Sequence, residues 1–287
     1  MPPHLFFVGA ALFHYLGPSF AVLLFARVPV AGVAWLRIVS AALVFAIWRR
    51  PWRAFFASSA RTRWTVAALG TVFAVMNYSF YLAIDRLPLG TVAAIEFVGP
   101  ILLAVAGSRS ARNLCALVSA VAGVYLVIDV RITGDLAALA WAFVNAALFL
   151  LYIMLAHRVA RTDRETSPID RLGAATMVAA IAVTPIGFVA AAPALGDPVA
   201  LAAGLGVGIS SSVVPYVLDQ LAMARLPRAS YALFVAILPA TAVLVGLVLL
   251  RQVPTAIELC GIALVGLGVT IHVPPSQAKE HAHEHRR

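Results

Sequence analysis

Polar positions in this chain come in short clusters, and long unbroken apolar runs separate them. Ten runs approach the roughly 20 residues that a helix needs to cross the hydrocarbon core of a bilayer. They lie near 5–25, 31–48, 65–84, 89–107, 114–129, 136–156, 172–191, 199–221, 229–250 and 256–273. The longest connections run from Arg49 to Arg63 and from His157 to Arg171, which leaves no stretch for an extramembrane domain. The pattern predicts an all-α integral membrane protein with ten transmembrane helices.

Composition removes the soluble alternative. Hydrophobic residues make up 62% of the chain and charged residues 11%, against about a quarter charged in a soluble domain. The net charge of +9 would suit nucleic acid in a soluble protein. Here the arginines sit in short loops between apolar runs, so the lipid bilayer is the expected partner and nucleic acid is not. With both termini in the cytoplasm, sixteen Lys and Arg fall in the inner loops and tail. Only Arg27, Arg86, Arg131 and Arg251 fall outside. That bias follows the positive-inside rule, requires an even number of spans and fits a bacterial-type inner (plasma) membrane. The first run lacks a basic leader and a convincing cleavage site, so it is read as a retained span. Cys115 and Cys260 each stand inside an apolar run and make no metal-spaced pair.

The chain also repeats. "DRLPLGTVAAIEFVGP" (85–100) recurs as "ARLPRASYALFVAILP" (224–239) with the same proline spacing, and "LCALVSAVAGV" (114–124) echoes "LCGIALVGLGV" (259–269). The copies define a first five-helix repeat over 1–132, a second over 133–274 and a polar cytoplasmic tail over 275–287. Five is odd, so the second copy must be inverted in the membrane. Inverted repeats of this kind recur in secondary transporters, with the substrate site near the midplane.

Glu96 is the residue most out of place. Counted from Pro88 it lies about 12 Å along its helix, where a charge costs a few kcal/mol and ordinarily faces a cavity. Pro100 has no N–H for the Glu96 carbonyl four residues back. Glu96 is either a proton or substrate-amine site or a protonated acid bonded to a neighbouring helix for packing. Arg37, about 9 Å into the second helix, would pair with Glu96, bind a substrate carboxylate or snorkel to the outer surface.

Asn77, Tyr78 and Tyr81 share the third helix at helical spacing and either recognise substrate or tie helices together. His14 with Tyr15, and Asn145 with Tyr152, occupy the first and sixth helices, equivalent by the repeat. His14 would shuttle protons or serve as a satisfied packing histidine. Asp219, beside the Arg225 turn, is read as an interfacial pairing residue rather than a gate. Ser211 and Ser212 lack a histidine–acid arrangement, and neighbouring glycines suggest close packing. "HAHEH" (281–285) lies in the polar tail and is read as a disordered terminus. No phosphate loop, HExxH or paired-cysteine site appears in the sequence, so no cofactor, metal or enzymatic activity is expected.

The stretch "MNYSFYLAIDRLPLGTVAAIEFVGP" (76–100) resembles the matching segment of threonine/homoserine exporters of the EamA family, in the drug/metabolite transporter superfamily. "SSVVPYVLDQLAMARLP" (211–227) and "LRIVSAALVF" (36–45) are similar to the family's eighth and second helices. The resemblance implies ten helices in two inverted halves and export of small amino acids or related metabolites, driven by an ion gradient. Glu96 falls on the acid of the family's E-F-x-G-P pattern, Asn77 and Tyr78 on its M-N-Y element, and Asp219 on the acid after P-Y. Two departures remove acids: Leu238 precedes Pro239 where the family has Glu, and Arg251–Gln252 stand where it has Gly–Glu. Glu96 is then expected to be the only acidic side chain deep in a helix.

These readings combine into a secondary transporter with protons as coupling ion, alternating access around Glu96, and bends at Gly99, Pro100, Pro239 and Gly246. Export of drugs or aromatic metabolites is the alternative cargo, and a non-transporting enzyme or regulatory subunit the alternative class. Substrate identity, stoichiometry and oligomeric state stay open at this point.

Overall fold

Apolar chain in lipid must satisfy its own backbone groups, and helix does so within one segment. The computed structural model describes residues 3–107, 110–129, 135–162, 166–223 and 238–271, and these form helices and turns without a strand. The helices are α1 (Pro3–Leu24), α2 (Val30–Arg49), the short α3 (Trp52–Ala57), α4 (Ala60–Ile84), α5 (Leu89–Gly107) and α6 (Ala111–Asp129). Then come α7 (Leu136–Thr162), α8 (Pro168–Leu195), α9 (Pro198–Gly208), α10 (Val214–Met223), α11 (Leu238–Leu250) and α12 (Ala256–Ile271).

Among the described residues, five helical stretches are long and apolar enough to cross a membrane: Val30–Arg49, Ala60–Ile84, Leu136–Ala156, Pro168–Leu195 and Pro198–Asp219. Five shorter apolar helices accompany them: Val8–Leu24, Leu89–Leu102, Ala111–Val127, Leu238–Leu250 and Ala256–Ile271. Most of the second repeat copy, 224–237, and the tail with "HAHEH" lie outside the described residues.

Caps explain where several helices outrun the apolar pattern. Ser59 Oγ accepts from the Thr62 N–H at 3.2 Å and starts α4 five residues before its apolar run. Ser167 Oγ accepts from the Ile169 N–H at 3.3 Å, and Pro168 occupies the first helical position of α8. The chain stays helical through Pro18 in α1, Pro100 in α5, and Pro185 and Pro193 in α8. The regular ladder changes instead between α9 and α10. A π turn over Ile209–Val213 sends the Val214 N–H to the Ile209 carbonyl, five residues back.

Four pairings dominate the packing: α6 on α12, α2 on α8, α4 on α7, and α1 on the helix formed by α9, the π turn and α10. The echoing helices α6 and α12 are joined by Ser119 Oγ donating to the Leu264 carbonyl at 2.8 Å. The central helix is α5, where Leu89, Val92, Ala93, Ala94 and Ile95 are all fully buried. Ile47, Trp64, Ile181 and Val189 are 72–81% exposed, and an apolar surface of that kind faces lipid in a spanning bundle. Charged pairs join the loops: Arg27 to Asp197 at 3.4 Å, Arg49 to Asp170 at 2.8 Å, and Arg86 to Asp135.

Candidate functional site

On α5, Glu96 follows the buried run Leu89–Ile95 and precedes buried Phe97, and it is itself partly accessible. Polar side chains from other helices gather beside it, and this polar cluster is the chamber of the site. The side chains that act on it electrostatically are Asn145 from α7, and His14 and Arg37 from α1 and α2. Tyr15 of α1 and Tyr216 of α10 also feel its charge. Asn145 is 1% exposed, and neither amide atom finds a hydrogen-bond partner.

One side of this chamber holds a second ionisable pair. His14 Nε2 and Asp219 Oδ2 are 2.7 Å apart, and the two side chains are 24% and 16% exposed. Tyr216 meets the His14 ring edge-on at 5.4 Å, Phe73 lies 5.7 Å from both Tyr216 and Tyr152, and Phe149 stacks on Tyr152. Asp219 is thus paired with a residue of α1. It reaches a histidine halfway along α1, and Glu96 is not the only acid inside the bundle.

The other side holds Arg37, 5% exposed. Its Nε donates to Ser212 Oγ at 2.9 Å, one Nη donates to the Ser211 carbonyl at 3.2 Å, and the guanidinium lies 5.2 Å from the Tyr81 ring centroid. Phe25, just after α1, packs edge-on against Tyr81 at 5.7 Å. Snorkelling is ruled out, since the side chain is enclosed and bonded inward. Arg37 acts on Glu96 without ion-pair contact among the described residues.

The third-helix residues separate. Tyr81 joins Arg37, Tyr78 packs at the edge of the main apolar core, and Asn77 turns back on its own helix, its Nδ2 donating to the Phe73 carbonyl at 2.7 Å. Gly99 and Pro100 continue α5 without interruption, and Pro239 is buried in the first turn of α11. Sequence reasoning missed Ser211, Ser212 and Tyr216 as site residues. Ser212, Tyr216 and Asp219 are spaced i, i+4, i+7 in an apolar run, a one-faced polar stripe that would have pointed to them.

A groove of about 430 Å³ lies between α1 and α9 and is lined by Phe20, Leu23, Val199 and Ala203 among others. It includes none of the chamber residues, and its apolar lining suits lipid rather than polar cargo. Among the described residues no group of three His, Cys, Asp or Glu side chains is placed to hold a metal ion.

Apolar membrane-length helices closed around two acids, a histidine and an arginine define a multi-pass membrane protein with a polar internal site, the construction of a transporter. Residues 136–273 match the EamA-like transporter family. The chain is 32% identical over 263 residues to the threonine/homoserine exporter RhtA of Salmonella typhimurium strain LT2, covering 90% of this chain and 87% of that protein. It is 31% identical over 264 residues to RhtA of Escherichia coli strain K12, with the same coverage. A solved crystal structure 15% identical in sequence superposes with a TM-score of 0.62, covering 94% of this chain and 95% of that one, so the fold is shared. The chain belongs to the EamA-like transporter family. It is a transporter and not an enzyme.

Proposed function

We propose that the protein is an inner-membrane secondary exporter of small amino acids of the threonine and homoserine kind, coupled to protons by alternating access. The observation that carries this reading is the placement of Glu96: a partly accessible acid on the central helix α5, acted on by His14, Arg37 and Asn145. A carboxylate and a guanidinium in one chamber, held apart, match the ammonium and carboxylate of a zwitterion. A hydrophobic drug would leave both uncompensated, which favours amino acids over drugs or aromatic metabolites. The relatives named as threonine/homoserine exporters supply the direction and the substrate class.

Ten spans in two inverted halves, 1–132 and 133–274 with a polar tail over 275–287, with both termini cytoplasmic, form the frame of the proposal. Its support is the packing pattern. Exchanging each span for the one five places on turns the α1 contact with the α9–α10 helix into the α7 contact with α4. The same exchange maps the α2–α8 and α6–α12 pairs onto themselves. Rocking the halves about the chamber would expose it alternately to each side. In that cycle Glu96 exchanges an external proton for cytoplasmic substrate, and Gly99, Pro100 and Pro239 lie on the helices that must adjust.

Glu96→Gln in proteoliposomes tests the mechanism. The expected result is loss of export driven by a pH gradient, with the protein still folded. Full proton-coupled transport by Glu96→Gln would sink it.

A further inference from the structure

Arg37 is buried among apolar helices with no acidic side chain in ion-pair contact among the described residues. A buried guanidinium without an anion is costly, and its ordinary partner is a carboxylate or phosphate bound through parallel N–H donors. Two of its nitrogens are already fixed, Nε on Ser212 Oγ and one Nη on the Ser211 carbonyl.

Two polar atoms beside it have no partner. Ser211 Oγ and the Tyr81 hydroxyl belong to side chains 1% and 0% exposed, and neither makes a hydrogen bond. The Arg37 guanidinium lies 5.2 Å from the Tyr81 ring centroid and donates to the Ser211 carbonyl, so the three are neighbours. Unmade hydrogen bonds on buried hydroxyls cost about 1–3 kcal/mol each, and a native fold keeps such groups where something else completes them. The local backbone is built for this spot. The π turn over Ile209–Val213 turns the Ser211 carbonyl toward Arg37, and π turns cluster at functional sites. Both hydroxyls can donate and the guanidinium is positive, so an anion with several lone pairs complements the group.

We propose that the π turn, through Ser211 and Ser212, together with Arg37 and Tyr81, forms a carboxylate subsite that selects ligands bearing a free carboxylate, while Glu96 with Asn145 serves the amine. The inference rests on the amino-acid reading above and deepens it. The subsite unites a helix of the first half with the irregular turn of the second, so a bound carboxylate bridges the two halves. Arg37 is held by its serine contacts and supplies charge, and the Ser211 and Tyr81 hydroxyls supply discrimination.

Ligand protection against thermal unfolding, measured on the full chain in nanodiscs, tests this with L-threonine, L-threoninamide and N-acetyl-L-threonine. Threonine should bind about tenfold tighter than threoninamide, which keeps the amine but has lost the carboxylate. Ser211→Ala and Tyr81→Phe should each weaken threonine and N-acetylthreonine about tenfold and leave threoninamide unchanged. Glu96→Gln should weaken threonine and threoninamide but not N-acetylthreonine. Equal binding of threonine and threoninamide to the unaltered chain would overturn the subsite, as would equal losses for all three ligands in the Ser211→Ala and Tyr81→Phe chains. If the amino-acid reading itself fails, none of the three ligands protects. Acetate at high concentration then decides: protection of the unaltered chain but not of Ser211→Ala keeps the carboxylate subsite, and no protection removes it.

Discussion

His14 Nε2 and Asp219 Oδ2 stand 2.7 Å apart and join the middle of α1 to α10 across the polar chamber. The pair touches the rest of the site from both ends. Asp219 acts on Tyr152 and Tyr216, and His14 acts on Glu96. A hydrogen bond to a charged group in so apolar a setting is among the stronger ones, and losing one member leaves the other uncompensated. Asp219→Asn is expected to lower export about tenfold at matched protein level. His14→Gln should do the same, and the double variant should be no worse than either. Export rates from intact cells check the cycle; losses that simply add would mean that the two residues act separately.

Close approach of α1 to the π turn depends on Gly17. A Cβ placed there would collide with the Ser211 Oγ and lie 2.7 Å from both the backbone nitrogen and the Cα of Ser211, so backbone as well as the hydroxyl would have to move. Gly17→Ala should therefore destabilise the protein by about 1–3 kcal/mol, the usual range for overpacking. The loss would appear as a lower unfolding temperature in detergent. Gly206, whose added Cβ would meet nothing within 4 Å, is the control, and Gly206→Ala should leave that temperature nearly unchanged.

The start of α5, the helix of Glu96, is capped from another element. Gln252 Oε1 accepts from the Leu89 N–H at 3.0 Å, satisfying a donor that the helix itself leaves free. Just before it, Arg251 has φ 55°, the left-handed region that favours glycine. The Gly–Glu pair that the family resemblance implies here would fit both demands. Gln252→Ala should cost about 1 kcal/mol, as for loss of a helix cap. Gln252→Glu should retain the cap, and Arg251→Gly should raise thermal stability. Unfolding temperatures of the three variants decide; a neutral Gln252→Ala would show the cap to be idle.

Two loop aspartates are expected to contribute to the acid side of the stability profile. Arg86 and the first backbone N–H groups of α7 hold the Asp135 carboxyl below the usual carboxylate range. Backbone N–H groups at the start of α9, with Arg27 adding to them, do the same for Asp197. A depressed carboxyl contributes stability above its unfolded value, about 3.9 for aspartate, and loses it as pH falls through the lower folded value. The unfolding temperature should hold from neutral to about pH 4 and fall below that. Replacing both by asparagine should lower the plateau and shrink the acid drop. An unchanged drop in that double variant would assign it to other carboxylates.

The helical class and Glu96 as a candidate were legible because both are local. Long apolar runs force helix in lipid, and one acid in such a run stands out by its cost. Arg37 was legible for the same reason, although only its alternatives could be stated. The partner of Asp219 was not legible, because the position of Asp219 was counted along its own helix, which points toward the Arg225 turn. Its partner His14 is 205 residues away, and nothing local announces that contact. Ser211 and Ser212 were set aside because no histidine–acid arrangement accompanies them and the neighbouring glycines suggested close helix packing. The π turn that aims the Ser211 carbonyl at Arg37 has no plain sequence signature.

By itself, then, the sequence determined that this chain lives in lipid, that it is built of helices and that Glu96 needs a polar surrounding. Those properties follow from transfer free energies and periodicity, which act residue by residue. Tertiary structure alone decided which charges meet: Asp219 with His14, Arg37 with the serine turn, and Gln252 with the start of α5. Such pairings depend on how helices distant in sequence cross, and a few ångströms of helix placement choose the partner.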